Sequence, residues 1–114
     1  MVIKNIELPD LDLFEVSEAE KWENAFENFY LKIENIPDNV KSSESIKMQC
    51  IATFELFNDI FGDGTDKKIF GDRVNLLDCL SAVDELRTAQ DSIMEKSSQK
   101  INDLAKKYSI NRLK

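Results

Sequence analysis

Three carboxylates, Asp59, Asp63 and Asp66, crowd one short stretch, and carboxylates at that density are what a calcium loop uses. The spacing argues against such a loop. A twelve-residue loop opening at Asp59 puts Phe61 third and Phe70 last, where oxygen ligands and a bidentate Glu belong. Two thiols, Cys50 and Cys79, stand without a CxxC pair and without a single His in the chain, so a four-ligand zinc site is not expected. Both cysteines sit among apolar residues at helical spacing and read as small buried hydrophobes. The lack of His also removes Ser-His-Asp triads and imidazole general bases. Gly62, Gly64 and Gly71 lack the Lys-Thr and the preceding strand of a phosphate cradle. Asp78, Asp84 and Glu85 share one helix, with no partner evident from spacing. The expectation is a chain with no catalytic residues, no metal and no cofactor. Enzymatic activity is not expected.

The elements that carry these residues are mostly helical. Residues 2–16, VIKNIELPDLDLFEV, alternate loosely with a Pro break, which reads as one or two short strands, a short β-hairpin or an extended arm. A lone strand leaves its backbone unpaired, so it needs a hairpin partner or another subunit. Ser17-Glu18-Ala19-Glu20 fits a capping box, with Ser17 as the N-cap. Trp22, Phe26, Phe29, Ile33 and Ile36 then follow at intervals of three and four, ended by Pro37-Asp38-Asn39. A second helix is predicted from Ser42 to Phe61, with a stripe of Ile46, Cys50, Phe54, Phe57 and Phe61 thickened by Ile51 and Ile60. That aromatic face is either the domain core or a groove. Gly62 stands where a left-handed helix end is expected, and Thr65–Phe70 is long enough for one short connecting helix. From Asn75, a capping residue, a long helix is predicted to about Tyr108. Its early stripe is Leu76, Leu80, Val83 and Leu86, and its later one Met94, Ile101, Leu104 and Tyr108. The polar stretch Arg87–Asp91 is where it should leave the core, and Ser97 weakens any two-stranded seam beyond that point.

At 114 residues, with 42% hydrophobic and 32% charged residues, the chain makes one globular domain. The expected fold is all-α: about three main helices plus the short connecting one, after an extended N-terminal segment. Residues 1–16 form that segment, 17–94 the helical core and 95–114 a basic helical arm. The net charge of −7 is uneven. Residues 1–66 hold 15 acidic and 5 basic side chains, residues 67–114 hold 7 and 10. An acidic front half is the wrong sign for nucleic acid, and no membrane contact is expected. The same asymmetry suits a protein partner or a second copy of the chain, besides plain solubility. Met1–Asp12 lacks the basic and apolar regions of a signal peptide, which points to a reducing cytoplasm.

The block Phe57–Leu80, FNDIFGDGTDKKIFGDRVNLLDCL, resembles the small tail assembly chaperones of long-tailed phages and prophages of Gram-positive bacteria. Members of that family read as an aromatic-rich helix, an FG-acidic-GT turn, a KxFG turn and NLxxCL opening a helix. Here these are Phe61-Gly62-Asp63-Gly64-Thr65, Lys68-Ile69-Phe70-Gly71 and Asn75-Leu76-Leu77-Asp78-Cys79-Leu80. The segment Ala19–Phe26 and the tail Lys107–Arg112 are similar too, with Ile110 where the family usually has Pro.

The resemblance implies a binding protein in the cytoplasm of the bacterial host. Its partners would be the tape-measure protein, the tail tube protein, or another copy of itself. Phe54, Phe57 and Phe61 would line a groove for an apolar helix, and the arm with Tyr108 and Arg112 would supply a second contact. Two other readings fit the composition: a structural tail or virion component, and an acidic decoy that inhibits a nucleic-acid-binding protein.

Overall fold

The computed structural model describes residues 1–108. Its elements are β1 (Val2–Ile3), β2 (Ile6–Glu7), α1 (Val16–Glu34), α2 (Ser42–Phe61), α3 (Thr65–Phe70) and α4 (Leu76–Tyr108). The fold is all-α with an N-terminal two-stranded antiparallel hairpin, as the patterning predicts.

The hairpin pairs within its own chain. Val2 faces Glu7 and Ile3 faces Ile6 across a turn in which Lys4 and Asn5 both have positive φ, the geometry that matches strand twist. Asn tolerates that conformation readily; Lys does not. The Lys4 amide is held by a hydrogen bond to Glu85 Oε1 on α4 (3.3 Å), and Ile3 beside it is fully buried. The hairpin is thus pinned on α4, and Leu8 and Leu11 continue into the same core.

α1 begins two residues earlier than the capping box predicts. Glu15 is the N-cap: its side chain accepts from the Glu18 amide (2.9 Å), while the Ser17 hydroxyl donates to the same carboxylate (2.5 Å). A carboxylate at the positive end of the helix dipole outdoes a hydroxyl there. Those two hydrogen bonds, that of Ser17 first, hold the Glu15 carboxyl below the usual carboxylate range. α1 ends at Glu34, three residues before Pro37, with Asn35 donating its amide to the Leu31 carbonyl. The seven residues 35–41 then turn the chain back, so α2 runs antiparallel along α1, with Lys32 paired to Glu55 between them.

The predicted α2 bounds hold, but its buried face is rotated. Cys50, Ala52, Thr53, Leu56, Phe57 and Ile60 point inward, whereas Ile46 and Ile51 are exposed. α4 is rotated likewise: Cys79, Ala82, Leu86 and Gln90 are buried and Leu80 is exposed. Small side chains at Cys50, Thr53, Cys79 and Ala82 let two backbones approach closely, which a Leu80–Val83 seam does not allow. Phe70 of α3 closes the end of this core against Phe54 (5.1 Å between centroids) and Phe57 (5.8 Å). Gly62 is not left-handed helical (φ 109°, ψ 158°); Gly64, at φ 91° and ψ −7°, takes that conformation at the start of α3.

α4 spans about 50 Å at 1.5 Å per residue, and it accounts for most of the 58 Å long axis. It stays in the core one turn longer than its polar middle suggests. Gln90 is 2% exposed and donates from Nε2 to the Leu11 carbonyl (3.3 Å), its Oε1 having no partner among the described residues. Beyond Gln90 the helix runs on as an arm.

Candidate functional site

The aromatic residues expected to line a groove are structural. Phe57 is 0% exposed, stacked against Phe61 (6.3 Å) and edge-on to Phe70, so it offers no surface to a partner. Phe54 and Phe61 are half-buried and pack against the same core. Phe61 of α2 and Phe70 of α3 are among the side chains that cover the Phe57 ring. Tyr108 is 60% exposed at the end of α4, with the Lys107 ammonium 5.4 Å from its ring centroid. Arg112 lies outside the described residues. The four described candidates therefore do not converge on one site.

Two other places do converge. The first is an open groove of about 340 Å³ between the end of α1 and the middle of α2, lined by Lys32, Asn35, Met48, Ile51, Ala52 and Glu55. Ile51 is 42% exposed, and Met48 and Leu31 are exposed nearby. α2 thus carries two apolar faces, one turned to the core through Cys50, Thr53 and Phe57, the other turned out through Met48 and Ile51. A helix apolar on both sides is the signal of a second neighbour, and it was visible in the run Ile46–Leu56.

The second is a recess of about 290 Å³ between α1 and α4, lined by Trp22, Glu23, Phe26, Glu27, Tyr30 and Arg87. Trp22 and Phe26 lie 4.6 Å apart, and the Arg87 guanidinium sits 5.4 Å from the Phe26 centroid. Arg87 also donates to the Tyr30 hydroxyl. Aromatic faces and two carboxylates attract cations, and Arg87 already exploits this within the chain. Its partners lie 57 and 61 positions away in sequence, too far for spacing to reveal.

A third hollow, of about 310 Å³, is lined by Lys4, Asn5, Ile69, Phe70, Arg73, Asp78 and Glu85. Its charges largely answer one another: Arg73 Nε lies 3.3 Å from Asp78 Oδ2, and Glu85 accepts from the Lys4 amide. Among the described residues no group of three or more Cys, Asp or Glu side chains is gathered as a metal site gathers them. Asp59 and Asp63 are exposed, and near them Asn58 Oδ1 accepts the Asp66 amide at the start of α3.

Cys50 and Cys79 are fully buried and free, as their apolar surroundings predict. Burial, together with the neighbouring Cys50 thiol, pushes the Cys79 thiol up to about 12. Both thiols are closed off from solvent and fill space as small apolar side chains do. No helix of the described residues is long and apolar enough to cross a membrane.

A family model described as a family of unknown function, DUF6673, matches residues 4–114, almost the whole chain. The chain belongs to the DUF6673 family. No curated protein and no solved structure matches it. The site in this DUF6673 chain must therefore be read from its own geometry: two shallow grooves on either side of α1, one apolar and one aromatic with acidic edges.

Proposed function

We propose that this DUF6673 chain is a non-enzymatic binding protein of the tail assembly chaperone kind. It holds an amphipathic helix of a phage tape-measure protein, or of the tail tube protein, in the groove between α1 and α2. It does so in the cytoplasm of the bacterial host, before the tail tube forms.

The observation that carries this reading is the outward apolar face of α2. Met48 and Ile51 lie open at the floor of a strip edged by Lys32, Asn35 and Glu55. Such a strip takes the ridge of one helix, whose anchors recur every three or four residues. Met adapts its shape to different anchors, which suits a partner with a long, repetitive helical surface. An overall charge of −7 keeps a complex with an aggregation-prone helix dissolved. The resemblance of Phe57–Leu80 to the chaperone family adds to the same reading, although those residues serve the core and not the groove.

The test is co-expression with the tape-measure protein from the same gene neighbourhood, followed by pull-down at low and high salt. Soluble co-elution that survives high salt, and that Ile51→Glu abolishes with helical content unchanged, supports the reading. A tape-measure protein that stays insoluble overturns it. Recovery of the chain in finished particles makes it a structural component instead, and capture of a basic protein with strong salt dependence makes it a decoy.

A further inference from the structure

The outer face of α1 and the arm of α4 carry matching charge patterns. On α1, Glu23, Glu27, Tyr30 and Glu34 recur at i, i+4, i+7 and i+11, which places them on one face, and all four are exposed. On the arm, Lys96, Lys100, Asp103 and Lys107 recur at the same intervals and are exposed as well. Laid parallel, with Glu23 beside Lys96, the two rows pair Glu27 with Lys100 and Glu34 with Lys107. The one exception pairs with the other exception: Tyr30 meets Asp103. The Tyr30 oxygen accepts from Arg87, which leaves its own proton to donate to that carboxylate. Antiparallel, the rows conflict, because Glu27 then meets Asp103.

We propose that the α4 arm of one copy of this chain docks on the α1 face of a second copy, in this parallel register. A contact within one chain is excluded by geometry. Arg87 already stands at the level of Phe26 and Tyr30. Lys96 lies nine residues further on, about 13 Å along the helix, so a chain's own arm has passed the row it would need to meet. The apolar residues beside the lysines, Ile101, Leu104 and Tyr108, fall along the seam toward the Trp22–Phe26 recess, whose Glu23 and Glu27 edges favour a basic guest. No ion pair among the described residues engages Glu23, Glu27, Glu34, Lys96, Lys100 or Lys107. The contact joins different surfaces of the two copies. It therefore builds a ring if the rotation closes and an open filament if it does not.

Sedimentation velocity over a concentration series of the full chain alone, at about 0.05 M and about 0.5 M salt, tests this without any other protein. Association at low salt should weaken at least about tenfold at high salt, since exposed pairs are screened. Glu27→Lys with Glu34→Lys should weaken it at least tenfold, and so should Lys100→Glu with Lys107→Glu. All four positions are exposed, and an unchanged helical spectrum confirms that each variant folds. Mixing the two variants should restore association, because each supplies the charge row the other lacks. A single monomeric species at every concentration overturns the proposal, as does association that the Glu27/Glu34 variant leaves intact or a mixture that stays dissociated. None of these outcomes depends on the α1–α2 groove or on a tape-measure partner.

Discussion

The two halves of α4 have similar sequence patterns and opposite surroundings. In the near half, Cys79, Ala82, Leu86 and Gln90 are sealed against α2 and the N-terminal segment. In the far half, Met94, Ser97, Ile101, Leu104 and Tyr108 repeat at threes and fours, yet Leu104 and Tyr108 stay open to solvent. A stripe at helical spacing records that something covers that face. It does not record whether the cover comes from the same chain. The near half meets its cover because the small residues of α2 and α4 let them close together; in the far half, among the described residues, Ala105 is the one buried side chain.

Breaking the near half should have the largest effect. Leu86→Ala empties a fully buried position and should cost about 2–5 kcal/mol, read as a lower midpoint in urea unfolding. The same packing can be probed without mutation. Cys50 and Cys79 should react with an aromatic disulfide reagent on the order of 10³ times more slowly in the native protein than in denaturant, since reaction requires opening the core. Comparable rates in the two states would mean that the α2–α4 seam is loose.

Smaller changes sharpen the contrast. Asn75→Ala removes the side chain that accepts the Asp78 amide at 3.0 Å and should cost about 1 kcal/mol, because α4 is capped at its packed end. Leu104→Ala, in the arm, should cost under about 1 kcal/mol in stability while weakening self-association. If it destabilises the fold as Leu86→Ala does, the arm is part of the core after all. The smallest effect belongs to Glu15. Its carboxyl is held below its ordinary value of 4.5, so its contribution is present above that pH and is lost as pH falls through the lowered value. Protection of the Glu18 amide, taken relative to its intrinsic exchange rate, should fall in that acidic window, and Glu15→Gln should remove that fall.

Much of the fold was legible from local patterns. The bounds of α2 and α3, the Asn75 cap and the turn-rich Gly62–Gly64 stretch all follow from residues close together in the chain. The site was not. Phe54, Phe57 and Phe61 look like a binding stripe because aromatic density marks a face that is covered, and an intramolecular cover leaves the same mark as a partner. The stripe groups Ile51 with them, yet Ile51 sits at its solvent-facing edge and opens the groove with Met48. Gln90 read as part of a polar exit, whereas the carbonyl of Leu11 draws it into the core.

By itself, the sequence determined an all-α chain, the approximate run of each helix, two buried thiols and the charge division between front and arm. These depend on hydrogen bonding, capping and side-chain chemistry within a few residues, or on composition alone. The tertiary structure alone decided which side of each helix faces in, where α4 leaves the core, and that Arg87 closes an aromatic recess on α1. Those outcomes turn on how near two backbones can approach, and that is set by small side chains tens of residues apart in sequence, Cys50 and Thr53 on one helix against Cys79 and Ala82 on the other.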